Sequence, residues 1–173
     1  KPPFLSWIIR IYTEILGSSF LSLKLLPLFV YLLIAWSVYN LLINSGLNKK
    51  DSLSGCLIFL FIPAVSFSSF IISTDLFLLL FWTLSLNELI KINREQNLKN
   101  FVLLGIFLGL GFLSKYAVIY FVICLFVLIL LDQRFRKFFL ENLSGFGLTF
   151  LSMFIIIVPN IIWNFNNDWI TLQ

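Results

Sequence analysis

Few residues in this chain can do acid–base or electrostatic chemistry. The most isolated is Asp75, which follows Ser73 and Thr74 between two long apolar runs, in F-I-I-S-T-D-L-F-L-L-L-F-W. A carboxylate there can take a proton from an acceptor hydroxyl, hold a divalent cation or steady a neighbouring lysine. It can equally cap the helix that follows, with Ser73 and Thr74 helping. With Lys1, Lys24, Lys115, Arg10, Glu14 and Asp168 it makes up the small charged set expected at one membrane face. A lysine can neutralise a phosphate leaving group, so mixed acids and lysines gathered at a lipid surface suit a phosphate-bearing lipid substrate. The sequence has no histidine, which removes imidazole bases and His-ligated metals. Cys56 and Cys124 have no metal-site spacing, and no disulfide is expected.

The elements that must position these residues are membrane segments. Of the 173 residues, 60% are hydrophobic and only 12% charged. Mean hydropathy is +1.02, and a soluble domain carries about a quarter charged residues. The expected fold is therefore an all-α membrane protein. Its net charge of +4 falls in short basic clusters between apolar runs, which carries topological information and implies no nucleic-acid partner. Residues 4–16 form an amphipathic stretch with Ser6, Arg10, Thr13 and Glu14 on one stripe. At about 13 residues it is too short to span a bilayer and is expected to lie in the interface. Six spans follow, at about 20–43, 53–72, 75–92, 101–114, 116–131 and 143–163, making residues 1–173 one transmembrane domain. The positive residues at 134, 136 and 137 sit in what reads as a loop.

Three basic clusters, Lys49/Lys50, Lys91/Arg94/Lys99 and Arg134/Arg136/Lys137, are expected on the cytoplasmic side. An even number of crossings must then separate them, which makes 101–131 a hairpin turning near Lys115. Lys1, Asp75, Lys115, Asn164 and Asp168 come together on the extracytoplasmic side of the cell membrane. The hairpin arms are short, so Lys115 is expected below the outer membrane surface, within the protein or facing a wet cavity. Gly105-x-x-x-Gly109 permits close helix packing. Gly109-Leu-Gly-Phe-Leu-Ser-Lys115 lacks the strand and the glycine before lysine that a phosphate-binding P-loop requires.

Five elements together resemble the bacterial GT-C glycosyltransferases, the dolichyl-phosphate-mannose-protein mannosyltransferase-like enzymes and their aminoarabinose transferase relatives. Lys1-Pro2-Pro3-Phe-Leu-Ser-Trp7 is similar to their H/K-P-P-x-x-x-W element. Leu23-Lys24-Leu-Leu-Pro27 resembles the basic-x-x-Pro entry to the next span, usually with Arg and one residue fewer. Ser73-Thr74-Asp75 resembles the T-x-D/T-D element, and Gly109 to Tyr116 the G-L-G-x-L-[ST]-K-Y/G element. Pro159 to Trp163-Asn164, with Asp168-Trp169, resembles P-x-x-x-W-N-x-x-x-D-W. The resemblance implies a polyprenyl-phosphate-linked sugar donor, a membrane lipid environment, an unspecified acceptor and inverting transfer on the extracytoplasmic face. It implies Lys1 at the donor phosphate, Asp75 as an acid of the catalytic site, and Lys115, Asn164 and Asp168 as site-lining residues. A divalent metal is one option for the carboxylate and stays open. The family's first acid would lie upstream of Lys1, so the sequence is expected to be an excerpt that is inactive alone. The alternative is a transporter or flippase subunit, but polar residues collect at one face, with little mid-depth charge and no internal repeat.

Overall fold

The computed structural model describes residues 2–169, and among these every regular element is a helix. In chain order they are α1 (Phe4–Leu16), α2 (Phe20–Asn44), α3 (Lys49–Leu60), α4 (Pro63–Ser68), α5 (Thr74–Glu95), α6 (Leu98–Ser114), α7 (Ile119–Leu131), α8 (Gln133–Glu141) and α9 (Leu143–Asn166). A 3-10 turn, Tyr116–Val118, links α6 to α7. By length and composition α2 and α9 can each cross a membrane, and α7 becomes a third such segment if it is joined to α8 across a 107° bend. Large apolar side chains face outward along these helices, including Phe20, Trp36, Leu131, Phe154 and Phe165. So much exposed apolar surface belongs against lipid.

Local sequence sets the breaks. Pro63 has no N–H to give to Phe59 one turn back, so the stretch 53–72 holds two helices, α3 and α4, with Pro63 in the first turn of the second. Gly17, at φ 77°, closes α1, and the Ser19 hydroxyl accepts from the Ser22 amide to open α2. The expected loop around Arg134 is a helix. Asp132 caps it, its carboxylate accepting from the amides of Arg134 at 2.7 Å and Phe135 at 3.2 Å.

Lipid tails are as apolar as leucine, so helices in a membrane associate through close packing and hydrogen bonds more than through hydrophobic burial. Both appear here. A Cβ on Gly105 would fall 2.2 Å from the Thr149 carbonyl oxygen, and one on Gly109 would fall 2.9 Å from the Ile156 Cβ. With Gly145 against the Phe101 ring, these contacts advance in the same direction along both helices, so α6 and α9 run parallel. The Thr149 hydroxyl donates to the Phe101 carbonyl across that seam at 2.9 Å. Helix α5 runs antiparallel to α6 and parallel to α2. Its buried Asn87 donates to the Ser37 carbonyl at 2.8 Å and accepts from the Asn44 amide at 3.0 Å. Tyr31 donates to the Leu60 carbonyl at 2.6 Å, fastening α3 to α2.

Candidate active site

Helix α5 begins at the candidate site. The Ser73 hydroxyl accepts from the Leu76 amide at 3.4 Å, so Ser73 is the cap. This corrects the expectation that Asp75 itself caps the helix: its carboxylate is free for other contacts. It remains in the first turn, where a negative charge meets the positive end of the helix dipole. Lys115 is the residue at which α6 ends, in extended backbone before the 3-10 turn. Because α5 and α6 are antiparallel, the start of one meets the end of the other. The Lys115 ammonium donates to the Asp75 carboxylate as a salt bridge between residues forty positions apart. The side chains are 42% and 60% exposed, so the pair stands at the surface of the bundle and is open to a ligand.

Other candidate residues flank this pair. Lys1 lies outside the described residues. Its neighbour Phe4 does not: the Phe4 ring packs edge-on against Phe77 at 5.4 Å and Phe81 at 5.2 Å. The start of α1 is thereby fixed to the first turns of α5, next to Asp75. Lys24 Nζ donates to the Phe70 carbonyl at 3.3 Å, tying α2 to the turn before α5. Asn164 is buried near the end of α9 and donates to the Asn160 carbonyl at 2.8 Å. With Tyr116, Phe112 and Trp169 it lines a cavity of about 250 Å³ beside the residue that follows Lys115. Asp168 has left-handed backbone, φ 51°, just past α9 and adjacent to Trp169. Arg10 and Glu14 form a 3.1 Å pair exposed on α1, away from these contacts.

The structure thus brings Asp75 and Lys115 into contact and sets Asn164 at the same end of the bundle. Among the described residues no three His, Cys, Asp or Glu side chains gather as a metal-ligand set, and Asp75 already faces a lysine. A feature not foreseen from sequence is an apolar groove of about 640 Å³ between α1, α2 and α5. Ile8, Tyr12, Leu26, Phe29, Phe77 and Phe81 line it, and at Phe77 it comes within two residues of Asp75. The amphipathic pattern of 4–16 was the available signal, since its apolar side had to cover something.

A helical membrane protein with an exposed carboxylate–ammonium pair at one end of its bundle is the class these observations define. The chain belongs to the dolichyl-phosphate-mannose-protein mannosyltransferase family, whose model matches residues 1–163. It is similar to the lipid A galacturonosyltransferase RgtD of Rhizobium johnstonii (strain DSM 114642 / LMG 32736 / 3841), with 25% identity over 174 residues. That alignment covers 100% of this chain and 36% of the relative's length. No solved structure matches.

Proposed function

We propose that this chain is part of the membrane domain of a glycosyltransferase that moves a sugar, a hexose or pentose, from a polyprenyl-phosphate-linked donor to an extracytoplasmic acceptor with inversion. The observation that carries the reading is the exposed Asp75–Lys115 pair at the end of a bundle whose α1, α2 and α5 enclose an apolar groove lined as far up α5 as Phe77. The groove suits an isoprenoid chain, and the charged pair lies where that chain's phosphate would emerge. In the reaction the acceptor oxygen attacks the anomeric carbon from the face opposite the phosphate. The carbon–oxygen bond to phosphate breaks, its electron pair leaves with polyprenyl phosphate, and the hydroxyl proton passes to a carboxylate base. Lys1 meets the donor phosphate, whose growing negative charge a lysine stabilises. Asp75 holds Lys115 and orients the reacting groups, while the proton acceptor is an acid upstream of Lys1. Asn164 and Asp168 line the acceptor side. The relative's name favours a glycolipid acceptor.

In the same reading, six segments cross the inner membrane as one domain, α1 lies in the interface and the site faces outward. The test is product analysis with the full-length protein, a polyprenyl-phosphate sugar and a glycolipid extract. Expected are inverted glycosidic product and free polyprenyl phosphate. Movement of the intact donor across sealed vesicles, without covalent product, would establish the flippase alternative instead.

A further inference from the structure

The opposite end of the bundle carries a second polar cavity, of about 570 Å³. It lies about 28 Å from Asp75, measured along α5 to Arg94 at 1.5 Å per residue. Asn44 at the end of α2, Asn93 and Arg94 at the end of α5, and Arg134, Phe135 and Phe138 of α8 line it. The 107° bend between α7 and α8 lays α8 across the helix ends and carries Arg134 to the cavity. Among the described residues neither guanidinium has an ion-pair partner. Asp132 is the acid in this lining, and its carboxylate is turned onto the amides it caps.

We infer that this cavity binds the phosphate-bearing headgroup of an anionic phospholipid. Two guanidinium groups match phosphate geometry, each able to donate two parallel hydrogen bonds, and neither has an internal acid to satisfy it. The Asn93 amide supplies a further donor, while Asn44 spends one of its two N–H groups on Asn87. The wall changes character within one side-chain length: Leu89, Ile90, Phe135 and Phe138 present apolar surface that suits the first carbons of acyl chains. Free phosphate needs no such wall. The position fits as well, because the cavity opens at helix ends and beside an amphipathic helix lying crosswise, where the membrane surface falls. Arg136, also on α8, adds to the positive field that draws anionic headgroups.

The experiment uses the full-length protein in neutral detergent and measures binding of phosphatidylglycerol by native mass spectrometry and by thermal shift. Phosphatidylcholine and inorganic phosphate at equal concentration are the comparison ligands. Phosphatidylglycerol is expected to bind and stabilise, with the other two much weaker. Arg94→Ala/Arg134→Ala is expected to weaken binding about 30-fold, from about fivefold for each guanidinium whose charge-assisted hydrogen bonds are lost. Lys99→Ala/Lys137→Ala removes the same charge from the same end outside the cavity and is expected to change binding less than threefold. Arg94→Lys/Arg134→Lys keeps the charge and guards against a folding defect; it should fold and still lose most of the affinity. Equal losses for the two alanine pairs would reduce the site to diffuse attraction and overturn the proposal. So would binding of inorganic phosphate as strong as that of the lipid.

Discussion

Asp75→Asn removes one negative charge at the start of α5 and preserves the side chain's shape. The structural consequence is small. Ser73 remains the cap, so the helix start survives. The lost salt bridge to Lys115 joins side chains that are 42% and 60% exposed, and exposed pairs contribute about 0.2–1 kcal/mol. The lost dipole interaction adds about 0.3–1 kcal/mol. Together these amount to at most about 2 kcal/mol, a shift of a few degrees in a protein of this size. The functional consequence is expected to be larger: transfer should fall at least about 100-fold, equivalent to about 2.7 kcal/mol at the transition state. Lys115→Gln should match it, and the double variant should be no worse than either single one, because the two act as a unit. The assay pairs initial rates of sugar transfer with thermal unfolding of the same purified full-length protein. Wild-type rates in Asp75→Asn would refute the reasoning. A rate loss that merely follows the fraction unfolded, or additive losses in the double variant, would do so too.

Lys1→Ala in the full-length protein should raise the apparent KM for the polyprenyl-phosphate donor at least tenfold with little change in melting temperature; an unchanged KM removes Lys1 from the phosphate site. In a cysteine-free background, Asn166→Cys should be labelled from outside intact cells by an impermeant maleimide and Lys50→Cys should not; the reverse pattern would invert the proposed orientation. Gly105→Ala should destabilise the bundle by about 1–3 kcal/mol, because the added methyl group would sit 2.2 Å from the Thr149 carbonyl oxygen. Unfolding at an unchanged temperature would show that α6 and α9 can separate without penalty.

The all-helical fold and the long apolar helices α2 and α9 were legible because membrane helices announce themselves by composition. So was the close contact at Gly105, since small residues four apart have few other uses in an apolar helix. Parity of the basic clusters also put Asp75 and Lys115 on one face. Their salt bridge was not legible, because it depends on the antiparallel packing of α5 on α6. The helix break before Pro63 was hidden by the continuous apolar run around it. Helix α8 read as a loop because three cations within four residues obscured Phe135, Phe138 and Phe139, which recur at helical spacing behind the Asp132 cap. Capping by Asp75, with Ser73 and Thr74 helping, was one reading of the turn, and the hydroxyl that reaches the Leu76 amide is that of Ser73.

Because α6 and α9 are parallel neighbours, the chain must travel back the whole length of the bundle before α9 can begin. Helix α7 makes that journey on the periphery, and Phe121 is its one buried side chain. Its obligations are reach and oiliness, with little demand on shape. With Phe121 kept, random exchange among leucine, isoleucine, valine and phenylalanine along 122–131 should therefore leave folding intact, while deletion of a single turn should not. In a mutational scan the seam glycines would stand out as intolerant columns, and the return helix beside them as a tract free to drift.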